Sequence, residues 1–213
     1  MKTVRPKIEG SLINRRYALP YLFSYDISNP ANSRLVLKCL KRWRIDGQLS
    51  VHETLLTPDQ AEILATDILD YIDPETDSLL LGRLSQRGTG PRSTLSRQLP
   101  AVPLLGPNAD YSLQSLASGW YIVAYDIRQP KRLRRVQKIT ARYTAFLQRS
   151  VYLYHGNGNR LLGLLGEISG IIRHREDDVR LYSLSSPSDL WFLCGPIPPC
   201  STLFDLDHFT SHS

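Results

Sequence analysis

The string YLFSYDISNP that begins at Tyr21 returns as YIVAYDIRQP at Tyr121, with the two aspartates, Asp26 and Asp126, 100 positions apart. The matches continue at that same offset. Arg34, Val36, Lys38 and Arg42 meet Arg134, Val136, Lys138 and Arg142, and Gln48, Ser50 and Val51 meet Gln148, Ser150 and Val151. Further on, Asp77, Leu81 and Leu84 return as Asp177, Leu181 and Leu184. No gap is needed anywhere, so the chain of 213 residues reads as one unit duplicated in tandem. Whatever one copy folds into, the other must fold into as well.

Each copy has the same grammar. A mostly apolar strand (Tyr21–Ile27, Tyr121–Ile127) runs into a polar turn with Pro30 or Pro130. A helix follows, with Val36, Leu40 and Trp43, or Val136, Thr140 and Tyr143, on one face. QLSVHETLL and LQRSVYLYHG are rich in β-branched and aromatic residues and predict extended structure, as a tight hairpin or as one bent strand. TPDQAEILATDILDYI predicts a second helix, capped by Thr57 with Pro58 in its first turn. Its counterpart NRLLGLLGEISGII sets Gly163, Gly166 and Gly170 on one face, which suggests close packing there. DSLLLGRL and DDVRLYSL predict closing strands. This order gives the fold class: α+β, two tandem ferredoxin-like βαββαβ domains forming an intramolecular pseudo-dimer.

The expected divisions are an N-terminal extension (1–18), a first domain (19–106) and an interdomain linker (107–118). A second domain (119–196) and a C-terminal tail (197–213) follow. Within the first, the Gly-, Ser- and Arg-rich stretch 85–99 reads as a flexible linker leading to an edge strand in PAVPLLG, with DLWFLCG as its equivalent after the second copy.

A net charge of +6 makes an acidic partner plausible, nucleic acid or an anionic surface. Cys39, Cys194 and Cys200 have no metal-ligand spacing and leave one thiol over in any disulfide scheme, which suits a reducing interior. No apolar run reaches a membrane span, and MKTVRPKIEGSLINRR lacks an apolar signal core. A soluble, cytoplasmic protein without a membrane partner is the expectation.

Asp26 and Asp126 each end a strand before a turn into a helix. They could cap those helices, but Ser28, Asn29 or Asn32 stand closer to the first one. In two identical domains related by a two-fold axis, both carboxylates can approach one interface. There they would hold a hard divalent cation, Mg²⁺ or Mn²⁺, able to activate water against a phosphodiester. A nuclease with no nearby histidine, lysine or second carboxylate pair would have little general-base help.

The following helices carry a second signal. KRLRRVQKITAR holds Lys131, Arg132, Arg134, Arg135, Lys138 and Arg142, and ANSRLVLKCLKRWR holds Arg34, Lys38, Lys41, Arg42 and Arg44; neither has an acid. Ordinary solvated helices interleave acids as i,i+4 partners, and cations in a first turn oppose the helix dipole. Phosphate contact explains both anomalies, so Arg34, Lys38, Arg42, Lys131, Arg132, Arg134, Arg135, Lys138 and Arg142 are the candidate nucleic-acid contacts. His52 and His155 lack metal-ligand companions and read as satisfied structural residues. Ser50 and Ser150 have strand-pairing roles, and Trp43, Trp120 and Trp191 pack core or edges.

YIVAYDIRQPKRLRRVQKITARYTAFLQRSVYLYHG resembles the opening half of the small CRISPR-associated Cas-two proteins, with an apolar strand ending in YDI, a basic helix, and a Q-x-S-V-aromatic-acidic strand. The first copy shares YLFSYDISNP, QLSVHE and the TP-initiated helix. The resemblance implies a ferredoxin-like fold that is usually a homodimer of separate chains, work beside the Cas-one integrase in spacer acquisition, and metal-dependent nuclease activity in some members. The family's metal aspartates fall on Asp26 and Asp126. One departure is SVYLY, where the second copy lacks the acid that Glu53 supplies in the first.

The expectation is therefore a monomer acting as a fused dimer, a platform for the integrase and for double-stranded (protospacer) DNA or RNA. The alternative is a Mg-dependent endonuclease or endoribonuclease, toxin-like or CRISPR-associated. A third reading, a CRISPR RNA-processing protein, would want a glycine-rich loop near the C-terminus, and none follows Pro196.

Overall fold

The computed structural model describes residues 18–85 and 116–195, together with the backbone of 101–105. The first unit runs β1 (Leu19–Asp26), α1 (Pro30–Lys41), β2 (Arg44–Gly47), β3 (Val51–Leu56), α2 (Pro58–Leu69) and β4 (Ser78–Arg83). After β5 (Ala101–Leu105), the second runs β6 (Gly119–Asp126), α3 (Pro130–Thr140), β7 (Ala145–Gln148), β8 (Val151–Gly156), α4 (Gly158–Ser169) and β9 (Asp178–Leu184). A single 3-10 turn, Pro187–Asp189, leads into β10 (Leu190–Cys194). Within the units the sheet orders are β4-β1-β3-β2 and β9-β6-β8-β7, all antiparallel, the ferredoxin-like arrangement seen twice. The middle segments are hairpins rather than single bent strands. Gly47 is required in the first: its φ is +151°, and a Cβ there would stand 2.2 Å from the Val51 carbonyl oxygen.

Both faces of each sheet are covered, so β1 is buried at every position from Pro20 to Tyr25. Alternation along the strand then assigns the faces. Tyr21, Phe23 and Tyr25 pack with Val36, Leu40, Leu64 and Ile68 under α1 and α2. Tyr121, Val123 and Tyr125 pack with Val136, Leu161, Leu164 and Ile168 under α3 and α4. The other face contributes to a third core drawn from both units: Leu22, Val51, Leu80 and Leu84 with Ile122, Ala124, Leu147, Leu153 and Tyr182. At about 25 cal/mol per Å² of apolar surface, this shared core supplies the main force joining the units. Paired glutamines fix the register. Gln48 donates to the Asp178 carbonyl at 3.2 Å, while Gln148 bonds the Ser24 hydroxyl and lies 3.3 Å from the Ser78 hydroxyl.

The two edge strands both form, but each joins the opposite unit. β5 pairs with β9, and β10 pairs with β4. This corrects the expectation that the strand in PAVPLLG extends the first domain. With the sheets face to face, the short connection from β9 to β10 crosses to the neighbouring sheet more readily than it returns along its own. Arg83 fastens the crossing, its Nε donating to Asp189 Oδ1 at 2.9 Å.

Thr57 caps α2 as expected, in a capping box with Gln60. Gly163, Gly166 and Gly170 do not provide close packing. They are exposed, and a Cβ at Gly163 or Gly166 would meet nothing within 4 Å. The crowded glycine is Gly158, where a Cβ would lie 1.8 Å from the Leu116 carbonyl oxygen. The extension 1–17, the stretch 86–100, the segment 106–115 and the tail from Pro196, with Cys200, lie outside the described residues.

Candidate metal centre and nucleic-acid interface

Asp26 and Asp126 line the same cleft, of about 250 Å³. Apart from Gln48, its walls come in pairs from the two copies: Tyr25 and Tyr125, Ile27 and Ile127, Ser33 and Leu133, Leu49 and Arg149, Ser50 and Ser150. The cleft thus follows the pseudo-two-fold relation. Two repeated contacts shape it. The Tyr25 amide donates to the Ser50 carbonyl at 3.1 Å, and the Tyr125 amide to that of Ser150 at 3.0 Å, drawing each hairpin turn against a strand end. Ser150 takes a φ of 62° to make its turn.

Neither aspartate caps a helix. Asn29 caps α1 by accepting from the Ala31 amide at 2.8 Å, and Gln129, at the start of α3, makes no side-chain cap bond. Two other carboxylates hold the turns that follow Asp26 and Asp126. Buried Asp77 accepts from the Ser28 amide at 2.8 Å and the Asp73 amide at 3.1 Å. Buried Asp177 accepts from the Arg128 amide at 3.0 Å and the Arg173 amide at 2.8 Å. Burial pushes both carboxyls up, but it is outweighed, at Asp77 by these amides with the Ser28 and Thr76 hydroxyls and at Asp177 by the Arg132 guanidinium with the two amides, so both pKa values lie below the ordinary value. Asp77 and Asp177 are positioning residues that composition could not single out. Their signal was the repeat itself, where a turn acid recurs at the offset of 100.

The cleft is not symmetric in charge. Asp126 stands opposite Asp178 in the strand register, where Asp26 stands opposite Ser78. Burial, then repulsion from Asp178, raises the Asp126 carboxyl above its ordinary value, with Arg128 opposing. Arg149 replaces Leu49 at the rim. The lining offers carboxylate, hydroxyl and amide oxygens and no His or Cys, a donor set suited to a hard cation that keeps its waters. Among the described residues no group of three or more His, Cys, Asp or Glu is placed to hold a metal.

Of the candidate phosphate contacts, Arg34, Lys38 and Arg42 on and after α1, and Lys131, Arg134, Arg135, Lys138 and Arg142 on and after α3, are exposed. Arg132 is not. It is 8% exposed, its Nε donating to Asp177 at 2.7 Å and its Nη2 to Glu176 at 2.8 Å. One of the cations that oppose the α3 dipole is therefore compensated from within the fold. His155 stacks on Trp120, with ring centroids 3.9 Å apart. His52 is structural but not hydrogen-bonded: it is fully buried against Tyr25, neither ring nitrogen has a partner, and burial, with Arg44 next, lowers its pKa to about 4.

The sequence model of CRISPR associated protein Cas2 matches residues 20–90 and again 119–190. The chain belongs to the Cas2 family, carrying two copies of the family unit in one polypeptide. A CRISPR-associated endoribonuclease Cas2 from Allochromatium vinosum is 46% identical over 59 residues, 28% of this chain and 63% of that protein. The CRISPR-associated endoribonuclease Cas2 1 of Nitrosomonas europaea is 33% identical over 76 residues, 36% of this chain and 72% of that protein. The crystal structure of Streptococcus pyogenes Cas2 at pH 6.5 aligns at 28% identity and a TM-score of 0.30, over 31% of this chain and 86% of that one. No helix among the described residues is long and apolar enough to cross a membrane.

Proposed function

We propose that this protein is a nucleic-acid-binding platform of CRISPR adaptation that works with the Cas-one integrase on duplex DNA. The observation that carries this reading is the set of exposed cations on α1 and α3, two helices without an acid in the first turn. Such a face recognises the phosphodiester backbone irrespective of sequence. Asp26 and Asp126 are the residues that would hold Mg²⁺ or Mn²⁺ in the shared cleft, a proposal supported by the two carboxylates lining one cleft that contains no His or Cys. When bound, such a cation supplies Lewis-acid stabilisation of charge at a phosphate.

A second reading, a metal-dependent endonuclease or endoribonuclease, is favoured by the two aspartates sharing one cleft and by the names of the relatives. Cleavage of labelled DNA and RNA with Mg²⁺ or EDTA, by the wild type and by Asp26→Ala/Asp126→Ala, separates the two. The platform reading expects no cutting, with salt-sensitive duplex binding retained by the double variant. Metal-dependent cutting that disappears in the variant would establish the enzyme instead.

A further inference from the structure

The two copies have diverged in charge. Residues 19–85 hold six Lys or Arg and ten Asp or Glu, a formal −4; residues 119–195 hold twelve and six, a formal +6. The divergence lies in the helical layers. Asp59, Glu62, Asp67 and Asp70 on and after α2, with Asp73 and Glu75 in the next turn, occupy repeat positions filled in the second copy by Asn159, Leu162, Glu167, Gly170, Arg173 and Arg175. Six acids are thus replaced by one acid, two cations and three neutral residues. On the neighbouring helix the gains of Lys131 and Arg135 over Ala31 and Leu35 are matched by the losses of Lys41 and Arg44 to Ala141 and Thr144, so the difference between the two faces comes from the α2 and α4 side.

Since α1 and α2 cover the same face of their sheet, the acids of α2 belong to the same helical layer as the α1 cations and oppose their field. On the α3–α4 face little offsets it. Glu176 is engaged by Arg132 and Arg173, and Glu167 accepts from the Tyr143 hydroxyl at 2.8 Å. Arg160 of α4 extends the cationic surface, its guanidinium 5.6 Å from the Tyr143 ring centre.

We infer that the tandem protein grips a phosphodiester backbone on one side only, on the α3–α4 face of its second unit, with the first unit turned away from the nucleic acid by its own charge. A pair of identical subunits would have two equal faces; gene duplication has allowed one to be given up. The inference rests on the nucleic-acid reading above and adds which surface carries it.

The test uses the full chain and a short labelled DNA duplex of mixed sequence, titrated from low to physiological salt. The α3 set, Lys131→Ala/Arg134→Ala/Arg135→Ala/Lys138→Ala, keeps Arg132 in its buried ion pair. It is expected to weaken binding by on the order of 100-fold and to lower the salt slope by about 3. The matching α1 set, Arg34→Ala/Lys38→Ala/Lys41→Ala/Arg42→Ala, is expected to lose less than about a tenth of that factor. Neutralising α2 with Asp59→Asn/Glu62→Gln/Asp67→Asn/Asp70→Asn is expected to tighten binding by unmasking α1. Equal losses from the α1 and α3 sets would overturn the one-sided arrangement while leaving nucleic-acid binding in place. A wild-type protein that binds no duplex at low salt would instead remove the reading on which it rests.

Discussion

The Glu53 carboxylate of the first unit and the Arg180 guanidinium of the second meet across the facing sheets at 3.1 Å, both nearly inaccessible to water. The repeat carries this pair onto Leu153 and Leu80, which sit in the apolar core between the same sheets. One half of the pseudo-dimer interface is thus ionic where the other is aliphatic. Arg180 also reaches Asp46 at 2.9 Å and Asp178 at 2.9 Å, so it is better partnered than Glu53.

This asymmetry predicts a non-additive mutant cycle. Arg180→Leu leaves Glu53 buried without its cation and should cost about 3 kcal/mol, while Glu53→Leu should cost less because Arg180 keeps two partners. The double variant Glu53→Leu/Arg180→Leu copies the aliphatic side and should return to within about 1 kcal/mol of wild type. Urea unfolding of the four proteins measures the coupling. Additive losses would mean that the pair does not act as a unit.

The same interface predicts two opposed pH dependences. Burial pushes the Glu53 carboxyl up to about 7, against the attraction of Arg180. Its folded pKa therefore exceeds the unfolded one, and its contribution to stability, complete below the ordinary glutamate range, is lost as pH rises towards 7. His52 has the reverse sign for a neighbouring window. With its pKa lowered to about 4, its contribution is present above the ordinary histidine range and is lost as pH falls towards 4. The two slopes cancel in part in the wild type. His52→Phe should expose a stability that declines from pH 5 to 7, and Glu53→Gln one that rises from pH 4 to 6.5. Each trend is on the order of a few kcal/mol, read from urea midpoints across pH. Flat profiles in both variants would show that neither group is perturbed.

How far these features could be read in the sequence follows from what the repeat preserves. The offset of 100 exposed the βαββαβ order, because each strand and helix appears twice with the same polarity pattern. It also marked Asp26 and Asp126, which do share a cleft. It was blind to Glu53–Arg180, since that contact exists in one copy of each position only. It gave no warning that Arg132 would turn inward, because periodicity places a cation on a helix but does not reveal that Asp177 lies within reach. Nor could it choose the sheet that an edge strand joins: PAVPLLG and DLWFLCG look alike as extended segments, and the choice depends on which edge lies open nearby.

Asp177 and Asp77 give a graded prediction about the turns beside the cleft. Asp77→Ala strands the Ser28 and Asp73 amides, at a cost of about 2 kcal/mol. Asp177→Ala strands the corresponding two and leaves Arg132 buried with only Glu176 as a carboxylate partner, so it should cost about 1 kcal/mol more. Adding Arg132→Asn, the residue type found at Asn32, should recover that excess and no more. Thermal melts of the three variants decide this, and equal losses for Asp77→Ala and Asp177→Ala would discount the role given to Arg132.

The exchanged strands predict that the two units unfold together. β10 of the second unit completes the sheet of the first, and β5, which follows the first, completes the sheet of the second. The core between the sheets draws on both, so neither unit retains its full sheet or its inner face alone. Unfolding in urea should therefore be a single transition, coincident by circular dichroism and by tryptophan fluorescence. The tryptophans are well placed to report it: Trp43 follows α1, Trp120 lies on β6 and Trp191 on the exchanged β10. Phe192 pairs with Leu80 in the exchanged ladder, so Phe192→Pro should destabilise the whole transition by about 3 kcal/mol rather than split it. Two resolved transitions in the wild type would mean that each unit is stable without the strand it receives, and that the exchange decorates the fold rather than joining it.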